Sequence, residues 1–308
     1  MGQTSNLKKL ARESGGLAML AVDQREALRE MLQTARGRSH VSNREIVDFK
    51  TYATEILSPH ASAVLLDKEF ALDHVVEQNV IADGCALIAS ADCFHPGNGI
   101  PVDRVTIDEK SSPQHAKELG AEAMKLLVLW RADESPENRL EMVNQFISRC
   151  HDNGLKAIIE PVVRPPRTQG LFDKEESILA AADELGSTDA DLYKGEMPRN
   201  GAGTDEELFT ACRALDERIT IPWVVLSSGV APDDFPNAVR QAVKAGAQGF
   251  LAGRAVWAPT LSFENSSIAL ADLAVPRLKR LGEIVDEALA AREETSLSQD
   301  SAEKGTER

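Results

Sequence analysis

The sequence predicts a single-domain (β/α)8 barrel, the TIM-barrel fold, because strand-like and helix-like segments alternate along almost the whole chain. Eight short apolar segments are each followed by a segment with apolar residues at three- and four-residue spacing. The strands are apolar on both faces, which is typical of a parallel sheet covered by helices. A chain of 308 residues with 43% hydrophobic composition can build such a barrel.

An open, doubly wound α/β sheet is the competing fold. Its first strand normally leads into a glycine-rich turn, whereas Asp23, Gln24 and Arg25 follow the first strand here. The predicted strands cover residues 17–22, 63–67, 85–89, 125–130, 156–160, 191–194, 223–227 and 249–252. The predicted helices cover residues 26–35, 43–57, 69–82, 113–123, 136–153, 173–185, 204–218, 233–245 and 267–291.

Two further segments differ in composition from the predicted strands and helices. Residues 93–101 are rich in glycine and proline and are predicted to form a loop. The polar residues 293–308 are predicted to form a disordered tail, so the barrel domain is expected to span residues 1–292.

Composition and charge exclude several classes of partner. A net charge of −15 and a pI near 4.9 argue against nucleic acid and anionic membranes, so an anionic substrate would need a local cationic pocket. No apolar stretch approaches the 18 residues of a membrane span. The four cysteines show no CxxC pair and are expected to be reduced thiols in a cytoplasm.

The carboxyl ends of the predicted strands carry an unusual number of polar and charged residues. The active site of a barrel lies at these ends, so polar residues there predict a site rather than stability. The strand ends are Asp23, Asp67, Ala89 to Asp92, Trp130, Arg131, Glu160, Lys194, Ser227 to Gly229, Gly253 and Arg254.

Lys194 is the last residue of a predicted buried strand, and a lysine at such a position needs an explanation. An exposed lysine is almost fully protonated at pH 7, but burial and a second cation favour the free amine that attacks a carbonyl. Together with Lys125, Asp23 and Glu160, it would form a complete set for carbinolamine and Schiff-base chemistry. The alternatives are a lysine that reaches to solvent and a buried ion-pair network. Lys125 begins its predicted strand, so either that strand starts earlier or the side chain must reach.

The last two strand ends predict a phosphate site. Ser228, Gly229, Gly253 and Arg254 offer backbone N–H groups, a hydroxyl and a guanidinium where barrels commonly bind phosphate. Ordinary strand-to-helix turns are the alternative. The six histidines show no HxxxH or HxH spacing, so we expect no metal site and no cofactor.

Several motifs, in order along the chain, resemble the class I tagatose-1,6-bisphosphate aldolase family. They are AMLAVDQR (18–25), LSPHAS (57–62), KLLVLW (125–130), IEP (159–161), DLYKGEMP (191–198), LSSGV (226–230) and GFLAGRAVW (249–257). Within that family, PGNGIPVD (96–103), VLWR (128–131) and EPVVRPP (160–166) look most like the sulfofructosephosphate aldolases. The resemblance covers residues 12–292, with Gly195 where valine is expected after the lysine.

The resemblance implies roles for individual residues. It implies Lys194 as the Schiff-base lysine, Glu160 as acid and base, Asp23 and Lys125 as assisting groups, and Ser228, Gly229, Gly253 and Arg254 around a phosphate. Gln24, Arg25, Arg131 and Arg164 are candidates for the sulfonate and hydroxyl groups at the far end of the substrate.

The expected activity is therefore cleavage of 6-deoxy-6-sulfofructose 1-phosphate to dihydroxyacetone phosphate and 3-sulfolactaldehyde, in sulfoquinovose breakdown. Tagatose 1,6-bisphosphate is the alternative substrate, and a barrel that senses sugar phosphates without catalysis is an alternative of another class. We also expect a homo-oligomer, because the outer helix faces carry apolar residues.

Overall fold

A computed structural model describes residues 4–168 and 170–306. Eight parallel strands form a closed barrel in the order β1-β2-β3-β6-β7-β8-β9-β10, so the predicted (β/α)8 fold is confirmed. These strands are β1 Leu17–Ala21, β2 Ala63–Leu66, β3 Ala86–Ser90, β6 Ala121–Trp130, β7 Lys156–Val163, β8 Leu192–Gly195, β9 Trp223–Val225 and β10 Gly249–Ala252. Two further strands, β4 Asp92–Gly97 and β5 Ile100–Ile107, form an antiparallel hairpin.

The helices follow the strands as the sequence predicted. They are α1 Glu26–Arg36, α2 Asn43–Leu57, α3 Leu72–Glu77, α4 Pro113–Glu118, α5 Pro136–Asp152, α6 Lys174–Leu185, α7 Asp205–Asp216, α8 Phe235–Ala245, α9 Arg254–Trp257, α10 Ser266–Ala269 and α11 Val275–Thr306. Short 3-10 segments cover Thr4–Leu10, Ser58–His60, Pro198–Gly201 and Ala258–Thr260, and a π-helical turn covers Leu270–Ala274. Ser42 and Thr204 begin α2 and α7 with reciprocal capping boxes, which satisfy backbone N–H groups at the first turn.

The barrel interior has an apolar layer at its base. Alternate residues of the strands point inward, and they pack as one cluster. This cluster includes Ala21, Ala123, Ile158 and Leu192. The residue two positions further along each of these strands faces the same side, one layer nearer the carboxyl ends. Strand periodicity therefore places Asp23, Lys125, Glu160 and Lys194 in one layer above the apolar base.

The structure resolves the start of β6. This strand begins at Ala121, four residues before the predicted start, and runs beside β3 and β7. Lys125 therefore lies in the middle of a strand, with Ser90 and Ile158 as its neighbours in register. The helix predicted over residues 113–123 ends correspondingly early, at Glu118.

The segment predicted as a loop over residues 93–101 is part of the β4–β5 hairpin. Asn98 and Gly99 both have positive φ angles, 49° and 75°, which is the backbone of a tight hairpin turn that Asn-Gly favours. Val105 of this hairpin packs against Leu129, Val162 and Leu226, an apolar layer above the charged one. The hairpin thus covers one side of the barrel mouth.

The carboxyl-terminal segment also differs from its prediction. Residues 293–306, predicted as a disordered tail, continue α11. The segment begins with two glutamates, which favour a helix, and no proline interrupts it. The last two residues of the predicted tail, 307 and 308, lie outside the described residues.

Candidate active site

Lys125 is the centre of a buried charged layer. Its Nζ lies 2.7 Å from Asp23 Oδ2, 2.7 Å from Asp92 Oδ2 and 3.0 Å from Glu160 Oε2. Burial alone would lower the pKa of Lys125, but the three carboxylates outweigh it and raise that pKa well above the usual range. These surroundings favour the ammonium form of Lys125, which has no free electron pair to attack a carbonyl.

Lys194 meets the same layer through Glu160. The Lys194 Nζ lies 2.8 Å from Glu160 Oε1, while Lys125 holds the other oxygen of that carboxylate. Lys194 is 3% exposed and Glu160 is 8% exposed, so little water reaches either group. A carboxylate in hydrogen-bond contact with a lysine can accept a proton from its ammonium, which is the first requirement for attack on a carbonyl.

Asp23 belongs to the layer as predicted from the sequence. Burial opposes its ionisation, but Lys125 and Lys194 together lower its pKa below the usual range. Gln24 beside it donates an N–H to Asp23 Oδ1 at 3.2 Å. The Gln24 Oε1 is buried and receives no hydrogen bond from the described residues. This oxygen is an acceptor that a substrate hydroxyl could use.

Asp92 also belongs to the charged layer around Lys125, although the sequence analysis gave it no role. It lies at the start of β4 and accepts hydrogen bonds from Lys125, from the backbone N–H of Leu127 and from Arg25. Burial raises its pKa, but Lys125 and Arg25 outweigh this effect and lower it. The sequence placed Asp92 near a strand end, and only the register of β3 and β6 turns its carboxylate towards Lys125.

Arg25 is held inside this network. Its guanidinium donates to Asp92 Oδ1 at 3.0 Å, lies 4.0 Å from Asp67 Oδ2 and stacks over the ring of Phe94 at 4.4 Å. Asp67 in turn pairs with the fully buried Lys50 of α2. Arg25 thus has buried carboxylate partners for its guanidinium, and its contact with the far end of a substrate stays a prediction.

These ion pairs balance one another. The buried layer holds four cations and four carboxylates when every member is ionised. Its members are Lys50, Lys125, Lys194, Arg25, Asp23, Asp67, Asp92 and Glu160. A neutral layer of paired charges can remain buried without an external ion. Within residues 4–168 and 170–306, no group of three His, Cys, Asp or Glu side chains is arranged to hold a metal.

Comparison with known proteins identifies the family. Residues 17–259 match the DeoC/LacD family aldolase. The chain belongs to the DeoC/LacD aldolase family. It is therefore a lyase, and the broader part of the expected resemblance is confirmed, whereas preference for a sulfosugar is not shown by this match.

Individual relatives agree with this assignment. The tagatose 1,6-diphosphate aldolase of Listeria monocytogenes is 29% identical over 282 residues, covering 83% of this chain and 82% of the relative. Tagatose 1,6-diphosphate aldolase 1 of Enterococcus faecalis is 30% identical over 280 residues, covering 82% and 83%. A Schiff-base-forming fructose-1,6-bisphosphate aldolase of known structure has a TM-score of 0.62 and 16% identity, covering 92% of this chain and 100% of that chain, and shows the shared fold.

The residues predicted to bind phosphate follow β9 and β10. Ser227 Oγ accepts a hydrogen bond from the N–H of Ala255 at 3.5 Å, which ties the two strand ends together. A side chain on Gly253 would lie 2.2 Å from the carbonyl oxygen of Ala21, so only glycine fits there. Gly229 is exposed with a φ of +81°, which also favours glycine. The predicted phosphate residues Ser228, Gly229, Gly253 and Arg254 thus share one edge of the mouth, on neighbouring strands.

Arg131 and Arg164, the other two arginines predicted to contact substrate, differ in their ion pairs. Arg131 is buried and pairs with Asp103 of the hairpin and with Glu134. Burial lowers the pKa of Arg164, and the cations of Arg131 and Arg254 add to this effect against the opposing charge of Glu196. Of Arg25, Arg131 and Arg164, only Arg164 has no ion pair within 4 Å among the described residues.

No helix within the described ranges is both long and apolar enough to cross a lipid bilayer.

Proposed function

We propose that this aldolase works through a Schiff base on Lys194 and cleaves a ketohexose 1-phosphate to dihydroxyacetone phosphate and a three-carbon aldehyde. The observation that carries the proposal is the contact of 2.8 Å between Lys194 Nζ and Glu160 Oε1, inside the charged layer at the carboxyl ends of the strands. A buried lysine beside a carboxylate has the arrangement that covalent catalysis on a ketone requires.

The proposed reaction assigns one task to each group. Lys194 passes a proton to Glu160 and its free amine adds to the C2 ketone; loss of water then leaves an iminium. A base removes the proton of the C4 hydroxyl, the C3–C4 bond breaks, and its electron pair moves into the iminium to give an enamine and the free aldehyde. Protonation of the enamine at C3 and addition of water release dihydroxyacetone phosphate and restore the amine. Glu160 is the candidate proton carrier because it lies closest to Lys194.

Lys125 and Asp23 support this chemistry electrostatically. Since Lys125 remains an ammonium between three carboxylates, it can hold Glu160 and donate a hydrogen bond, but it does not compete for the ketone. The lowered pKa of Asp23 favours its carboxylate form, which contacts Lys125 Nζ at 2.7 Å. The Gln24 oxygen that receives no hydrogen bond from the described residues is our candidate acceptor for a substrate hydroxyl.

The phosphate on C1 is assigned to Ser228, Gly229, Gly253 and Arg254. A hydroxyl, backbone N–H groups that glycine leaves accessible, and a guanidinium suit a phosphate monoester. The chain carries a net charge of −15, so a local cation is needed to attract such a substrate.

At the far end of the substrate we propose a sulfonate, which makes the substrate 6-deoxy-6-sulfofructose 1-phosphate and the aldehyde 3-sulfolactaldehyde. The resemblance of residues 96–103 and 160–166 to sulfofructosephosphate aldolases supports this choice. Charge supports it too, since Arg164 is the one of the three arginines predicted for this end that has no carboxylate partner among the described residues. A sulfonate carries one negative charge, whereas a phosphate monoester carries about 1.5 to 2.

Tagatose 1,6-bisphosphate is the second candidate substrate, because the relatives from Listeria and Enterococcus are named as aldolases of that sugar. Comparing kcat/KM on 6-deoxy-6-sulfofructose 1-phosphate, tagatose 1,6-bisphosphate and fructose 1,6-bisphosphate distinguishes the candidates. We expect a preference for the sulfosugar of about tenfold or more. A preference for either bisphosphate would overturn the sulfonate assignment while leaving Lys194 in place as the nucleophile.

A sugar-phosphate sensor without activity would bind these compounds and cleave none of them. Lys194→Arg tests the mechanism in the same assay, because guanidinium keeps the charge but does not lose its proton. We expect this variant to fold normally and to have no measurable turnover.

The proposed setting is the cytoplasm, and we propose a homo-oligomer. The four cysteines are free, as expected of reduced thiols. Exposed apolar side chains of α2, α10 and the following turn, Tyr52, Ile268 and Leu273, offer a surface for self-association. Light scattering of the purified protein measures the oligomeric state; a monomer would contradict this part of the proposal.

A further inference from the structure

Lys174, the first residue of α6, reaches the carboxyl end of the barrel from outside the charged layer. Its Nζ lies 2.6 Å from Asn200 Oδ1 and 3.2 Å from Glu196 Oε1. Glu196 is itself fixed, because its other oxygen accepts the backbone N–H of Val163 at 2.7 Å. Two neighbours from the segment that follows β8 therefore hold the Lys174 ammonium in one place.

This place is next to the proposed phosphate site. A Cβ atom built on Gly229 would lie 2.8 Å from Asn200 Oδ1 and 3.7 Å from Lys174 Nζ. Gly229 has no side chain, so no side-chain atom of Gly229 lies between its backbone and the Lys174 ammonium. An anion that approaches the Ser228–Gly229 backbone thus comes within reach of Lys174.

The Lys174 ammonium has a hydrogen-bond donor left for such an anion. An ammonium has three N–H donors; Asn200 accepts a hydrogen bond from one of them, and Glu196 forms an ion pair with the ammonium at 3.2 Å. Its side chain is 28% exposed, so the third donor can face the mouth. A phosphate monoester near neutral pH carries about 1.5 to 2 negative charges, more than the single charge of Arg254 balances.

We propose that Lys174 is a substrate-binding residue that, together with Arg254, donates to the phosphate on C1 of the substrate. This inference rests on the proposed function, since it assumes that the phosphate binds at Ser228 and Gly229. It adds a residue from α6 that the motifs of the strand ends did not indicate. Asn200 and Glu196 are then positioning residues, which orient the ammonium without contacting the phosphate.

Borohydride trapping with a matched pair of ketones tests the proposal. The full-length protein is incubated with dihydroxyacetone phosphate or with unphosphorylated dihydroxyacetone, reduced with borohydride, and the modified fraction is measured by mass spectrometry against ketone concentration. For Lys174→Gln, the half-saturating concentration of dihydroxyacetone phosphate should rise about tenfold or more, because a charge-assisted contact is lost. The curve for dihydroxyacetone should stay unchanged, since it has no phosphate.

Two further variants complete the experiment. Lys174→Arg keeps a cation at this position and should restore most of the affinity for dihydroxyacetone phosphate. Lys117→Gln removes an equal charge from the far end of the barrel, where Lys117 bonds to the carbonyl of Gly154 before β7, and should change neither curve.

The outcomes are distinguishable. Unchanged trapping of both ketones by Lys174→Gln, or an equal loss with both, would overturn the phosphate contact while leaving the Schiff base in place. Absence of any adduct in the unsubstituted protein would overturn the Schiff-base proposal, and the Lys174 contact with it.

Discussion

Glu160 places its two carboxylate oxygens on two different lysines, 2.8 Å from Lys194 and 3.0 Å from Lys125. The two lysines therefore share one acid, and their environments differ. Three carboxylates surround Lys125 and favour its charged form, whereas Glu160 is the carboxylate that lies within ion-pair distance of Lys194 among the described residues. This asymmetry favours Lys194 as the group that loses a proton and attacks.

Glu160→Gln should remove the proton carrier and preserve the shape of the side chain. We expect kcat to fall by about 10²- to 10⁴-fold, the usual contribution of a general acid or base. The steady-state cleavage rate measures this, with circular dichroism to confirm the fold. Glu176→Gln, on the exposed face of α6, is the matched control and should keep full activity. A Glu160→Gln enzyme of normal kcat would exclude Glu160 as the proton carrier.

Lys125→Met should make the free energy of unfolding depend on pH in a range where that of the unsubstituted protein does not. In the unsubstituted protein, the lowered pKa of Asp23 stabilises the fold above its unfolded value of about 3.9, and this stabilisation is lost as the pH falls through the folded pKa. The raised pKa of Lys125 stabilises the fold below about 10.4 and is lost only as the pH rises through the higher folded value. Between about pH 3.9 and about pH 10.4, neither group makes the free energy of unfolding vary with pH.

Without Lys125, burial should raise the pKa of Asp23, so that stability falls as the pH rises from about 4. The free energy of unfolding should also drop by about 3–5 kcal/mol at neutral pH, since a buried carboxylate loses its partner. Urea denaturation at several pH values between these limits measures both effects. A variant whose stability stays constant with pH would contradict this account of the charged layer.

Arg254→Ala should weaken binding of the phosphorylated substrate. Loss of a charge-assisted contact of about 1.5–3 kcal/mol corresponds to an increase in KM of about ten- to a hundredfold. Arg277→Ala is the control, because Arg277 pairs with Asp233 on the surface and lies outside the proposed site. An unchanged KM for Arg254→Ala would place the phosphate elsewhere in the mouth.

EDTA should leave the cleavage rate unchanged. The proposed mechanism uses the iminium on Lys194 as its electron sink, so it has no step that a divalent metal must perform. The measurement is the initial rate before and after prolonged incubation with the chelator. Strong inhibition that zinc reverses would refute the class I mechanism.

Strand periodicity was sufficient to predict the fold and which side chains share one layer. In a strand, residues two apart face the same side, so Lys125 faces the same side as Leu127 once its strand is known to start earlier. The structure brings Asp23, Lys125, Glu160 and Lys194 together at that level. Their chemical roles do not follow from this placement and stay predictions.

Other features needed the three-dimensional register. The role of Asp92 depends on which strand pairs with β3, and the chain passes through the β4–β5 hairpin before that strand, β6, begins. Asn98 and Gly99 carried a recognisable hairpin signal that the prolines nearby obscured. The pairing of Arg25 with Asp92 likewise depends on contacts far apart in sequence, so sequence alone left Arg25 available for substrate.

Trapping with dihydroxyacetone phosphate and borohydride, followed by mass mapping of the peptides, shows which residue forms the Schiff base. Reduction makes the iminium permanent, so the modified residue identifies the nucleophile. We expect one adduct, on Lys194, that is absent in Lys194→Arg. An adduct on Lys125 instead, or cleavage activity without any adduct on Lys194, would contradict this expectation.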